Sequence, residues 1–89
     1  MNYGMSEKAW FCYILKCADG SLYTGVTTEP QRRTRQHNDG AGAKYTRGRR
    51  PVKMVYCEPA PSRAEALRRE HEIRTQPRAR KLVLIRAAR

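Results

Sequence analysis

Apolar residues in this chain come in short runs, and the spacing within each run points to an element. Residues 10–17 read W-F-C-Y-I-L-K-C, too short for a helix and followed by Asp19-Gly20. That aromatic and β-branched composition predicts a buried strand running into a turn. Residues 22–26 (L-Y-T-G-V) read as its antiparallel partner. The turn decides where the tyrosines point. A two-residue turn at Asp19-Gly20 puts Tyr13 and Tyr23 on opposite faces. A three-residue loop, Ala18-Asp19-Gly20, pairs Cys17 with Ser21 and puts both tyrosines on one face. Gly20 suits the left-handed position of the G1 bulge in the longer loop, which is therefore expected.

Further along, Thr28 reads as a helix N-cap, with Gln31 at N3 completing a capping box and Pro30 in the first turn. The predicted helix runs from residue 29 to about 38 and contains no large apolar residue, so it lacks the stripe that would hold it to a core. Residues 39–51 combine four glycines or prolines with four positive charges and predict a mobile basic loop. Alternation returns at residues 52–57 (V-K-M-V-Y-C), a third strand. Ser62-Arg63-Ala64-Glu65 is a capping box that opens a helix to about Arg74. Thr75-Gln76-Pro77 closes it and starts another over residues 78–85. The order β-β-α-β-α-α specifies a small α+β domain, a three-stranded antiparallel sheet flanked by helices. Eighty-nine residues suffice for one domain, expected over residues 10–89 after a flexible lead-in of residues 1–9.

Two polar placements stand out against this scheme. Arg33 and His37 are four residues apart and stack on one face of the helix that has no apolar stripe. In the helix after Ser62, Ala66, Leu67 and Ile73 mark the apolar stripe, and Glu70 falls inside it. An inward carboxylate needs a cation, either an arginine or a metal ion. Mg²⁺ commonly takes one or two carboxylates, several waters and the substrate's own phosphates, so a single glutamate suffices for a phosphodiester substrate.

Charge narrows the partner. Nineteen Lys and Arg against eight Asp and Glu give +11, which favours a polyanion. Nucleic acid leads over an acidic membrane or acidic protein, with a ribosome-associated basic protein as a rival class. Cys12, Cys17 and Cys57 show no zinc spacing and read as reduced thiols. The N-terminal stretch has no apolar leader and no apolar run reaches membrane-spanning length, so a cytoplasmic location without membrane partners is expected.

Tyr13, Tyr23, Arg33, His37 and Glu70 together supply what phosphodiester hydrolysis requires. The planar fork of Arg33 matches two phosphate oxygens. Glu70 suits a metal, and His37 or a tyrosine suits proton transfer. A phenol, with a pKa of about 10, needs a neighbouring cation to act as a base.

Over residues 10–85 this constellation resembles the GIY-YIG nuclease family, and in particular its small stand-alone bacterial members. Phe11-Cys12-Tyr13 stands at the first motif and Tyr23-Thr24-Gly25 at the second. Arg33 follows Gly25 by eight positions, His37 stands four further on, and Glu70 corresponds to the family's metal-binding glutamate. Residues 40–48 (G-A-G-A-K-Y-T-R-G) carry the same likeness. Phe11 and Cys12 replace the Gly and Ile of the first motif, and no asparagine follows Glu70 where many members have one. The resemblance implies an endonuclease dependent on Mg²⁺ or Mn²⁺. Glu70 would bind the metal, Arg33 the phosphate, and Tyr13 would act as general base or water-orienting group. Tyr23 would assist at the phosphate, and His37 would relay the proton or protonate the leaving side. Lys44, Tyr45, Thr46, Arg47, Arg49 and Arg50 are expected to grip single-stranded or branched DNA, with Tyr45 stacking on an unpaired base and no obligatory protein partner. The alternative is a catalytically weak nucleic-acid-binding module of the same fold.

Overall fold

The sheet is built around its first strand. Strand β1 (Trp10–Lys16) is flanked by β2 (Leu22–Thr27) and β3 (Lys53–Ala60), all antiparallel, in the order β2-β1-β3. This computed structural model describes residues 9–88, so residues 1–8 of the expected lead-in lie outside the described residues.

The hairpin takes the three-residue loop. Cys17 N–H donates to the Ser21 carbonyl and Gly20 N–H to the Cys17 carbonyl, each at 2.9 Å, and Gly20 sits at φ +86°. Leu15 therefore pairs with Tyr23 and Tyr13 with Gly25, which puts both tyrosines on one face. Strand β3 extends to Ala60, three residues past the expected end at residue 57, and runs through Pro59. It is an edge strand, where a residue without N–H is tolerated. The register shifts between Ile14, paired with Tyr56, and Leu15, paired with Met54. The extra residue lets Val55 and Tyr56 both pack on the same core cluster.

Four helices complete the order: α1 (Pro30–Asn38), α2 (Lys44–Arg47), α3 (Arg63–Arg74) and α4 (Arg78–Ala87). The start of α1 differs from expectation. Glu29, not Thr28, is the N-cap, and no side chain caps the helix. Pro30 excludes helical geometry from the residue before it, so the boundary falls at Glu29 (φ −139°). The Glu29 N–H donates to Thr27 Oγ1 at 3.1 Å. Helix α3 begins as predicted, with the Ser62 side chain accepting from Glu65 N–H. The expected irregular loop of residues 39–51 instead contains the single turn α2. Asn38 staples the far end of this segment: its Nδ2 donates to the Val52 carbonyl at 3.0 Å and its Oδ1 accepts from Val52 N–H at 2.7 Å.

Two clusters lie on opposite faces of the sheet. Cys12 and Ile14 meet Ile73 of α3 and Ile85 of α4, while Tyr13 and Leu15 meet Cys17 and Val52 on the other face. Leu67, expected in the α3 stripe, is exposed at 37%, so the helix packs through Ala66 and Ile73. All three cysteines are free, and among the described residues no helix is long and apolar enough to cross a membrane.

Candidate active site

Tyr13 reaches its position across an absent side chain. A Cβ on Gly25, its partner on β2, would lie 2.6 Å from the Tyr13 hydroxyl, so only glycine leaves room for the phenol there. The hydroxyl meets His37 Nε2 of α1 at 3.0 Å, and both residues are essentially inaccessible to solvent. On the far side of the imidazole, Nδ1 lies 2.7 Å from Thr46 Oγ1, and Thr46 Oγ1 donates to the Ala43 carbonyl at 2.9 Å. This explains why a helix without an apolar stripe sits against the sheet. His37 is its buried residue, anchored by hydrogen bonds at both ring nitrogens.

Donor counting assigns the protons. Thr46 spends its one hydroxyl hydrogen on Ala43, so Nδ1–H donates to Oγ1 and Nε2 accepts from the Tyr13 hydroxyl. The Ala43 amide approaches Nδ1 at 3.4 Å, too long to outweigh these three shorter bonds. Burial pushes the Tyr13 phenol up to about 12, with the Arg33 guanidinium nearby working the other way as donor and as charge. Burial also pulls His37 down to about 4, helped by the charge of Arg33. The pair at rest is thus a neutral phenol on a neutral imidazole.

Tyr23 packs beside this pair, its ring centroid 6.5 Å from Tyr13 and 5.4 Å from His37. Burial raises its phenol; the Arg33 charge opposes that rise and the Glu70 charge adds to it. Arg33 donates to Gln36 Oε1 at 3.1 Å. The structure therefore groups Tyr13, Tyr23, Arg33 and His37 directly.

Glu70 approaches from α3, which packs on the opposite face of the sheet, and reaches Tyr23 through its charge and not through a bond. It is partly exposed, not fully inward, and the arginine alternative is what the structure shows: Arg74 Nε lies 2.9 Å from Oε2, one helical turn on. Arg74 is 55% exposed and the Glu70 side chain 19%, so the pair has one solvated partner that could give way to a cation at the carboxylate. No group of three or more His, Cys, Asp or Glu gathers to hold a metal among the described residues. A lone hard oxygen donor still fits Mg²⁺ or Mn²⁺, whose shell is filled mostly by waters and substrate phosphates.

The basic segment is more built than expected. Thr46, predicted to touch nucleic acid, is fully buried and instead positions His37. Tyr45 is stacked on Tyr23 (5.9 Å, 27°), and the Arg49 guanidinium lies 4.0 Å from its ring centroid. Arg49 also bonds Asp19 (3.1 Å) and the Tyr45 carbonyl (2.7 Å), and Arg50 bonds the carbonyls of Arg47 (2.8 Å) and Asn38 (3.3 Å). Lys44 and Arg47 are exposed. Gly42 belongs to the site as well, because a Cβ there would collide with the His37 ring. Nothing in the sequence pattern marked Gly42; the one signal was its place in the glycine-spaced run before Thr46.

Residues 9–82 match the GIY-YIG catalytic domain. The chain is 52% identical over 81 residues to a UPF0213 protein of Desulfotalea psychrophila, covering 90% of this chain and 74% of that one. It is 55% identical over 75 residues to a UPF0213 protein of Staphylococcus aureus, covering 84% and 92%. The solution NMR structure of a UPF0213 protein from Bacillus halodurans is similar at 46% identity and a TM-score of 0.57, over 89% of this chain and 84% of that one. With a matching domain across most of its length and relatives above half identity, the chain belongs to the GIY-YIG nuclease family.

Proposed function

We propose that this protein is a divalent-metal-dependent DNA endonuclease acting on single-stranded or branched DNA, with Tyr13 as the group that accepts the attacking water's proton. The observation that carries the reading is the buried chain from Tyr13 through His37 to Thr46, set beside the Arg33 guanidinium. In this reading the guanidinium fork of Arg33 holds the scissile phosphate, with Tyr23 at its side. As the water attacks phosphorus, its proton passes to the Tyr13 oxygen while the Tyr13 proton passes to His37 Nε2, and the opposite P–O ester bond breaks, its leaving oxygen taking a proton from solvent. His37 becomes imidazolium and keeps its Nδ1–H on Thr46. Burial is the larger cause of the His37 depression and Arg33 the smaller, and a bound phosphate's negative charge would offset the Arg33 part. Glu70 would hold Mg²⁺ or Mn²⁺ together with substrate oxygens, and the ion would supply Lewis-acid stabilisation of charge on the phosphate. Exposed Lys44 and Arg47, with Arg32 and Arg35 on α1, provide the sequence-independent grip on the backbone. One such site per chain suits cutting one strand.

The test is cleavage of a panel of single-stranded, branched, duplex and RNA substrates with Mn²⁺, with Glu70→Ala alongside. The expected result is cutting of single-stranded or branched DNA by the native protein, lost in Glu70→Ala while DNA binding persists. No cutting of any substrate would leave a nucleic-acid-binding module in place of an enzyme.

A further inference from the structure

We propose that the cleft beside Arg33 is a nucleobase subsite, in which Trp10 stacks on the base next to the phosphate that Arg33 holds. The proposal rests on the nuclease reading for what Arg33 binds, and it adds where the adjoining base goes. The cleft, about 320 Å³, is open to solvent, and its lining includes Trp10, Val26, Arg33 and Arg32, the last paired with Glu29 at 3.6 Å. Trp10 is the chain's single tryptophan, half-buried at the start of β1, and belongs to neither core cluster. The Arg63 guanidinium lies 5.8 Å from its ring centroid.

An indole and a valine beside the Arg33 guanidinium match the two parts of a nucleotide, a flat apolar ring and a phosphate. A free anion would need the arginines and not the indole. Arg33 lines this cleft with Trp10, so a phosphate on its guanidinium and a base on the indole share one opening. Tyr45, the aromatic residue in the basic segment, is stacked on Tyr23 and keeps 40% of its surface exposed, but it does not line this cleft. Stacking tolerates any base, so the subsite requires an unpaired base and not a particular sequence.

The test is a fluorescence titration of the Glu70→Ala protein with a short oligo-dT strand and with an abasic strand of equal length and charge. Trp10 is the dominant emitter. The expected result is quenching by oligo-dT and not by the abasic strand. Trp10→Leu in the same background should lose about 5- to 150-fold affinity for oligo-dT and none for the abasic strand. Trp10→Phe, which keeps a ring, should lose less and covers the case in which Trp10→Leu does not fold. Unquenched emission on saturation, or equal oligo-dT affinity for the native ring and Trp10→Leu, would overturn the subsite. Because the titration needs no cleavage, it separates the two readings. Quenching without any nuclease activity removes only the enzyme, and cleavage with a silent Trp10 removes only the subsite.

Discussion

On one face of the sheet Cys12 and Ile14 meet Ile73 and Ile85, and on the other Tyr13, one residue along the same strand, meets His37 and, through it, Thr46. All but Ile85 are buried to 1% exposure or less. The two faces are equally dry, yet they are held by different physics. The first is non-directional and tolerates any group of the right volume. The second works only if every donor meets an acceptor, because a buried polar group left unpaired costs about 1–3 kcal/mol. A single atom removed from the polar face therefore alters chemistry with little change in volume. The same change on the apolar face alters volume alone.

Tyr13→Phe and Ile73→Ala put that contrast to a direct test. The first removes one oxygen and leaves the ring packed. Cleavage should fall by about 10²–10⁴-fold, the range for a proton-transferring group, with a modest loss of stability from orphaning Nε2. Ile73→Ala should cost about 2–5 kcal/mol of stability, lowering Tm by roughly 10–30 °C. Well below the new Tm its cleavage rate per folded molecule should be near native. Thermal melts and single-turnover rates on both variants decide the matter. Native-like cleavage by Tyr13→Phe would remove the phenol from the chemistry.

Gly25→Ala probes the seam between the faces. Its Cβ would press on the Tyr13 hydroxyl and force the phenol off His37. Overpacking of this kind costs about 1–3 kcal/mol, and here it should also cut cleavage. Adding Tyr13→Phe should relieve part of the stability loss without restoring activity. A Gly25→Ala protein with native Tm and native rate would show that the phenol is not held where the structure puts it.

How much of this was legible beforehand follows the same division. The hairpin register could be read because Gly20 makes one loop length cheaper, and that register alone put Tyr13 and Tyr23 on one face. Helix α3 could be read because its capping box is a local bond. The start of α1 was misread, since the constraint of Pro30 on Glu29 outranks a capping-box pattern. Thr46 was misassigned to the nucleic-acid surface. Its partner His37 lies nine residues away across a segment with no hydrophobic period, and a bond between two polar side chains leaves no periodic trace. For Glu70, spacing offers an arginine or a metal as the partner and cannot choose between them; the structure pairs it with Arg74.

The smallest expected effect is also specific to the polar face. His37 titrates at about 4 in the folded chain against an ordinary value of 6.5. Between those values the unfolded chain holds a proton that the folded chain does not. Stability therefore rises with pH across this window, and its loss accumulates as pH falls from 6.5 towards 4. Tyr13 acts at the other end: its folded phenol keeps its proton up to about 12 against an ordinary 10.0, so stability falls again above pH 10. Melts from pH 7 to pH 4 should show a Tm that declines by several degrees in the native protein and less in His37→Gln. The decline should persist in Ile73→Ala, whose deficit on the apolar face shifts the whole curve without changing its slope. A native Tm that stays flat from pH 6.5 to 4.5 would mean that the imidazole is not held neutral, and the Tyr13–His37 bond would lose its role as the proton's exit.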